Sequence, residues 1–241
     1  IGAQSAADAE RFRTIGAPPE RVHVTGNVKL DLRIPEAAIV AGHEFRRRCA
    51  ADRPVWIAGS THEGEEEAAL AAHAMACVRH PDALLVLVPR HPQRFDAVRT
   101  ALQRSGARFA QRSREAVPGA DLGVFLLDTV GELQTFYAAA DVAFVGGTLV
   151  PVGGHNLLEP AVLGVPVLAG PHTGNAPDIA RLLADSGALT TVSDAAELAR
   201  QVTVLFDDPP RAAALGRRGR GAIEANRGAV DRLLGVIEPL L

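Results

Sequence analysis

Two cysteines are all that 241 residues contain, and Cys49 and Cys77 stand far apart without metal-ligand spacing. They read as buried free thiols, in keeping with a reducing compartment. Also missing are a signal peptide and any uninterrupted apolar run of about 20 residues, so no segment reads as a bilayer span. The uncharged stretch from Val142 to Leu158 is broken by Gly and Pro. An excess of charge of one sign is lacking too. The formal net charge of −3 excludes a global attraction to nucleic acid or anionic lipid. The local runs RRR at 46–48 and GRRGRG at 216–221 read as a solvated helix face and a helix end. There are no internal repeats and no low-complexity tracts. With 47% hydrophobic and 22% charged residues, the composition is that of a folded globular chain. The chain opens without an initiator Met, which leads us to expect trimming or a fragment of a longer protein.

What is present is an alternation. Short aliphatic runs, VWIAGS (55–60), LLVLVP (84–89), GVFLLD (123–128), DVAFVGG (141–147), VPVLAG (165–170) and ALTTVS (188–193), end in turn-forming residues. Most are apolar throughout, as expected of strands covered on both faces, which means a parallel sheet. Segments 63–80, 91–106 and 131–140 between them carry helical spacing. The order predicts an α/β fold, a Rossmann-like doubly wound parallel sheet over residues 35–207. Residues 1–34 read differently: a helix over 5–17 ended by Gly16, the strand RVHVTG without obvious companions, and a connector. Residues 208–241 read as two helices.

Ligands of such a sheet lie beyond the carboxyl ends of the strands. After the first run, Ser60 and Glu63 have the spacing of a capping box, and Ser60 reads equally as a phosphate contact. The acidic run Glu65–Glu67 is expected to face water, and His62 fits either role. After the second run, Arg90 sits between Pro89 and Pro92, a restrained fork suited to phosphate oxygens; pairing with a neighbouring carboxylate is the competing reading. Arg94 reads as a solvated helix residue and His91 as a loop brace. After the third, Asp128 or Thr129 is placed to cap a helix, and Gly131 lets backbone approach a flat group such as a nucleobase.

The stretch VGGTLVPVGGHNLLEPAVLGVPVLAGPH (145–172) is the most informative, with six glycines and four prolines around His155, Asn156 and Glu159. Pro160 marks a helix's first turn, whose amides and positive dipole end favour an anion. Asn156 and Glu159 also have the N-x-x-E spacing of a cap. The extra glycines favour a ligand site in which Glu159 accepts from a ribose diol, while His155 serves as loop brace or donor.

GSTHEGEE, VPRHPQRF and DTVGELQTFYAAADVAFVGGTLVPVGGHNLLEPAVLGVPVLAGPHTGN, with AQSAADAERF and RVHVTGNVKLD before them, resemble the carboxyl-terminal half of 3-deoxy-D-manno-octulosonic acid (Kdo) transferases over most of the chain. The resemblance implies the second half of a GT-B glycosyltransferase that moves Kdo from CMP-Kdo to a lipid A precursor, without a metal or other cofactor. It implies a nucleotide site of Pro89, Arg90, the turn Val130, Gly131, Glu132 and Leu133, and the stretch Asn156, Leu157, Leu158 and Glu159, with Ser60 as a further candidate. It also implies an amino-terminal domain that supplies the catalytic base, the acceptor surface and the membrane anchor. Residues 1–34 would then be its remnant, residues 208–241 would pack toward it, and the whole would work at the cytoplasmic face of the bacterial inner membrane. No catalytic base is assigned within this chain, and no clustered Asp pair offers a metal site. The alternatives are another GT-B enzyme using a UDP-sugar, either a transferase or an epimerase, and a non-catalytic nucleotide-binding module.

Overall fold

The computed structural model describes residues 1–114, 118–119 and 121–240. The chain divides into two compact units, residues 1–33 with 221–241 and residues 34–220. In the first unit, β1 (Gly2–Ala3), α1 (Ala6–Thr14) and β2 (His23–Val24) follow one another. Ser5 caps α1 by accepting the Asp8 amide at 3.1 Å, and Gly16, at φ +99°, lets the chain turn away after it. The strand expected to lack companions has one, since β2 runs parallel to β1.

The second unit begins with α2 (Glu36–Cys49), β3 (Val55–Thr61), α3 (Glu65–Ala76), β4 (Leu84–Pro89), α4 (Phe95–Ser105), β5 (Phe109–Gln111) and β6 (Val124–Leu126). It continues through α5 (Leu133–Ala139), β7 (Val142–Val145), α6 (Leu158–Val162), β8 (Val167–Ala169), α7 (Pro177–Asp185), β9 (Leu189–Thr191), α8 (Ala195–Asp207) and α9 (Pro209–Glu224). Its seven strands pair in parallel in the order β5-β6-β4-β3-β7-β8-β9. From β3 the chain works outward to the β5 edge, then crosses back to build β7, β8 and β9 on the other side. The order therefore reverses between β3 and β7, where a doubly wound sheet leaves a crevice at its carboxyl edge.

The unbroken apolar runs follow from two covered faces. Trp56 and Ala58 of β3, with Leu85 and Leu87 of β4, pack beneath Ala69 and Ala72 of α3 and Leu198 and Val202 of α8. Their neighbours Val55, Ile57, Leu84 and Val86 point the other way, into a cluster with Phe45 of α2 and Phe136 and Tyr137 of α5. Complete burial of each large aliphatic chain contributes about 2 kcal/mol, so the alternating sets hold the helices on both sides. β5 was not foreseen; at three residues on the sheet's edge, it is too short to show a period.

The boundaries differ from those read in the sequence. α9 was expected to leave the sheet domain at residue 207, yet Ala212 is buried in, and Leu215 packs against, the same core as α8. The end of α9, from residue 221, and the last helix, α10 (Ala229–Ile237), go with the chain's opening segment. Asp31 accepts the amides of Gly228 at 2.6 Å and Val230 at 2.7 Å, and Arg232 donates to the Thr25 carbonyl at 2.8 Å. Those amides, the Val230 one foremost, hold the Asp31 carboxyl below its usual range. The cysteines are half-buried rather than buried, and partial desolvation pushes both thiols up. Among the described residues, no helix is long and apolar enough to cross a membrane.

Candidate functional site

A cavity of about 290 Å³ opens at the carboxyl edge of the sheet. β3 contributes Ser60, β4 ends in Pro89 with Arg90 directly after it, and the turn into α5 contributes Val130 and Gly131, with Leu133 at the helix's first position. Asn156 and Glu159, at the start of α6, complete the expected set. Three residues expected here do not line it. Leu157 and Leu158, each 2% exposed, are core residues. Glu132 turns to Arg112, which donates from Nη2 at 2.7 Å and from Nε at 3.1 Å, and the Thr129 hydroxyl also donates to it. That guanidinium holds the Glu132 carboxyl below its ordinary range. A larger cavity of about 600 Å³ borders Pro54 and Pro166, at the amino ends of β3 and β8. Ligands of open parallel sheets bind at the opposite end, so the smaller cavity is the candidate.

The end of β3 is bent on purpose. Its register with β4 shifts between Gly59 and Thr61, and Ser60 takes φ +57°, a left-handed conformation costly for a side-chain-bearing residue. Such strain gathers at functional sites. The bulge presses on β7: a Cβ on Gly146 would lie 2.4 Å from the Ser60 carbonyl oxygen. Gly146 is therefore demanded by backbone meeting backbone, and it, at least, needs no ligand to explain it. The capping box expected of Ser60 and Glu63 does not form. α3 starts later, where the Gly64 amide donates to Glu67 at 3.1 Å, and the Glu63 carboxylate reaches Arg94 at 3.3 Å.

The acidic run is the largest departure from expectation. Glu65 is 0% and Glu66 1% exposed. Glu65 Oε1 accepts the amides of Thr148 at 3.0 Å and Leu149 at 2.9 Å. Its Oε2 accepts those of Gly147 at 2.6 Å and His62 at 2.9 Å. One buried carboxylate thus gathers the loop after β7 onto the loop after β3, each amide offsetting part of its desolvation. Glu66 accepts two hydrogen bonds from Arg94, both at 3.1 Å, so Arg94 is a structural fork and not a solvated residue. Burial outweighs this pairing and pushes the Glu66 carboxyl up. Only Glu67 keeps the expected place.

The groups facing the cavity are mostly uncommitted. The Arg90 amide donates to the Thr61 carbonyl at 2.9 Å, which fixes its backbone, while the exposed guanidinium makes no ion pair among the described residues. The competing carboxylate pairing is therefore absent. Glu159 Oε1 accepts from Gln134 at 3.1 Å and does not reach back to close a cap. Asn156 accepts the Leu158 amide at 3.1 Å, so one amide of the expected anion cradle is already taken, and α6 is only five residues long. Gly131, at φ +91°, has nothing within 4 Å of where a Cβ would stand. Beside it Val130 is 80% exposed, an apolar edge that a flat ring would cover. Asp128 caps no helix; it accepts the Ser113 amide at 2.8 Å.

Tyr137 and Phe95 also line the cavity, and sequence reasoning missed them because aromatics at helical spacing read as core. Tyr137 is 1% exposed, and burial first, the Glu159 charge second, push its hydroxyl well above the ordinary range. It stays protonated and able to donate. His155 lines the same cavity and meets His62 with Nε2 to Nε2 at 2.7 Å. Among the described residues, no group of three or more His, Cys, Asp or Glu is placed to hold a metal ion.

Residues 63–222 match the family of glycosyl transferases group 1. Residues 1–32 match the 3-deoxy-D-manno-octulosonic-acid transferase (kdotransferase) family. The chain is 40% identical over its whole length to 3-deoxy-D-manno-octulosonic acid transferase of Haemophilus influenzae, of which it covers 57%. It is 39% identical over 99% of its length to that of Bordetella pertussis, of which it covers 56%. It thus spans little more than half the length of these relatives. The crystal structure of the C-terminal CMP-Kdo binding domain of WaaA from Acinetobacter baumannii superposes with a TM-score of 0.75 at 32% identity, over 78% of this chain and 99% of that one. Its parallel sheet, its match to the group 1 transferases and these identities together mean that the chain belongs to the 3-deoxy-D-manno-octulosonic acid transferase family, as a carboxyl-terminal, Rossmann-like part of a GT-B glycosyltransferase.

Proposed function

We propose that this chain binds CMP-Kdo for a transferase that moves Kdo onto a lipid A precursor in lipopolysaccharide assembly. The observation that carries this reading is the cavity at the topological switch point, where Arg90, Glu159 and the Val130–Gly131 turn converge. A relative that this chain covers almost entirely is described as a CMP-Kdo binding domain. In this reading the cytosine lies over the turn at Gly131 and Val130, and Glu159 accepts from the ribose diol. Arg90 pairs with the phosphate. As the bond from the sugar's anomeric carbon to the phosphate oxygen breaks, its electron pair stays with CMP, and Arg90 stabilises the added charge. An acceptor hydroxyl forms the new bond to that carbon, and its proton passes to a base outside this chain. The Arg90 guanidinium takes the charge that a divalent ion carries elsewhere, so the reaction is assigned no metal.

The acceptor surface, the base and the contact with the cytoplasmic face of the inner membrane belong, in this proposal, to an amino-terminal domain. Residues 1–34 and the carboxyl-terminal helices adjoin that domain. Titration calorimetry with CMP, UMP and UDP tests the nucleotide assignment. CMP is expected to bind at least tenfold more tightly than either uridine nucleotide, about 1.4 kcal/mol. Absence of CMP binding, or preference for UDP, rejects it in favour of another GT-B activity.

A further inference from the structure

His62 and His155 come from the loops after β3 and β7, the two strands between which the sheet order reverses. Their Nε2 atoms lie 2.7 Å apart, and the rings are coplanar to within 4° with centroids 5.0 Å apart. That separation is the N–N distance plus one ring radius on either side. The rings therefore meet edge to edge along a single N–H···N hydrogen bond and are not stacked face on face. One ring donates and the other accepts, and neither Nδ1 has a protein partner among the described residues. A proton added to Nδ1 of the donor ring leaves the contact intact and gives the pair one positive charge. A second would have to land on the accepting Nε2 and break the contact. The pair thus exists as neutral or singly charged and titrates as one unit.

We propose that the His62–His155 pair is an anion subsite of the donor cavity, which takes up one proton as a phosphate or carboxylate group of the ligand docks beside it. His155 lines the cavity with Arg90 and Ser60, so an anion drawn to Arg90 lies next to the pair. The groups facing the pair are Glu65 from the start of α3, Arg90 and His91 from the loop after β4, and Arg94 beyond it. His91 stands edge-on to His62 with ring centroids 5.3 Å apart. The Glu65 carboxylate is shared among four backbone amides, and Arg94 faces Glu66. That leaves Arg90 as the facing cation that has no ion-pair partner among the described residues. Burial first, then the neighbouring His62 and Arg90, hold His155 down at about 4, and burial likewise lowers His62. Burial keeps the empty pair neutral, and an adjacent anion raises its affinity for a proton.

The proposal rests on CMP-Kdo binding, and its test separates the two. Titrations of the chain with CMP, free Kdo and cytidine at pH 7.5, in two buffers of different ionisation enthalpy, count the protons taken up. A nucleotide phosphate is already fully ionised there, its second pKa being about 6. Proton uptake is expected with CMP if the phosphate is the group, with Kdo if the carboxylate is, and with cytidine not at all. His62→Gln keeps an amide beside His155 but cannot be charged. Between pH 6.5 and 8 the wild-type dissociation constant for the linked ligand should rise more steeply than the variant's, by up to about tenfold per pH unit. The comparison cancels the ligand's own titration. CMP binding with no proton uptake from either anionic ligand by the wild type overturns the subsite and leaves nucleotide binding standing, whether or not the variant folds. Failure of CMP to bind at all removes both.

Discussion

Glu65→Gln is expected to destabilise the domain by about 4 kcal/mol, although it changes no heavy-atom count and almost no volume. Each carboxylate oxygen of Glu65 accepts two backbone amides. A glutamine puts an NH₂ group in place of one oxygen, whichever way the amide is flipped. Two buried N–H donors then face a third donor, and each loses a charge-assisted bond at about 1–3 kcal/mol apiece. The isosteric change should therefore be nearly as harmful as Glu65→Ala, an ordering opposite to that of a solvated glutamate. Urea denaturation followed by circular dichroism measures it, with an unchanged m value showing that the midpoint shift is a change in stability. A loss under about 1 kcal/mol for the glutamine variant would mean that these four amides find other acceptors. Since the same carboxylate holds the His62 amide and the loop Gly147–Leu149, CMP affinity should fall in any variant that stays folded.

Glu65 also marks the limit of what could be read from the chain alone. Six strands, their parallel pairing and the positions of Ser60, Arg90, Gly131 and Glu159 at strand ends or in the loops and helix starts that follow them were legible, because period and turn residues are local properties. The cavity that unites them follows from the sheet's order of assembly. The fate of GEEE was not legible. Three glutamates at a helix start are soluble and favourable to the dipole in isolation, and nothing nearby in sequence shows that three of the four partners of the first lie more than eighty residues away. Arg94 failed for the same reason, since its partner Glu66 lies 28 residues back. At least part of the glycine-rich character of 145–172 was legible as a sign of close approach. The approach at Gly146, however, is to the Ser60 backbone. The reciprocal cap expected of Asn156 and Glu159 does not close: Asn156 accepts the Leu158 amide, while Gln134 of α5 donates to the glutamate.

Arg90→Ala should weaken CMP binding about 50-fold, close to 2.3 kcal/mol, and leave the stability of the domain within about 0.5 kcal/mol of wild type. The guanidinium is exposed and makes no ion pair among the described residues, so its removal uncovers no buried partner. Its backbone amide, which bonds to Thr61, survives the change. Cytidine, which lacks the phosphate, should bind the variant and the wild type alike. Glu159→Gln offers the complementary pattern. It should weaken CMP and cytidine by similar factors, about tenfold, because both carry the ribose diol and a neutral amide accepts more weakly than a carboxylate. Gln134, whose amide donates to Glu159 at 3.1 Å, can still donate to the remaining carbonyl oxygen, so the fold should hold. Calorimetry with the two ligands and the two variants makes a four-way comparison in which each residue is matched to one part of the nucleotide. If Arg90→Ala weakened cytidine as much as CMP, the guanidinium would be holding the loop and not the phosphate. If Glu159→Gln left cytidine binding untouched, the carboxylate would be braced against Gln134 for the protein's own sake.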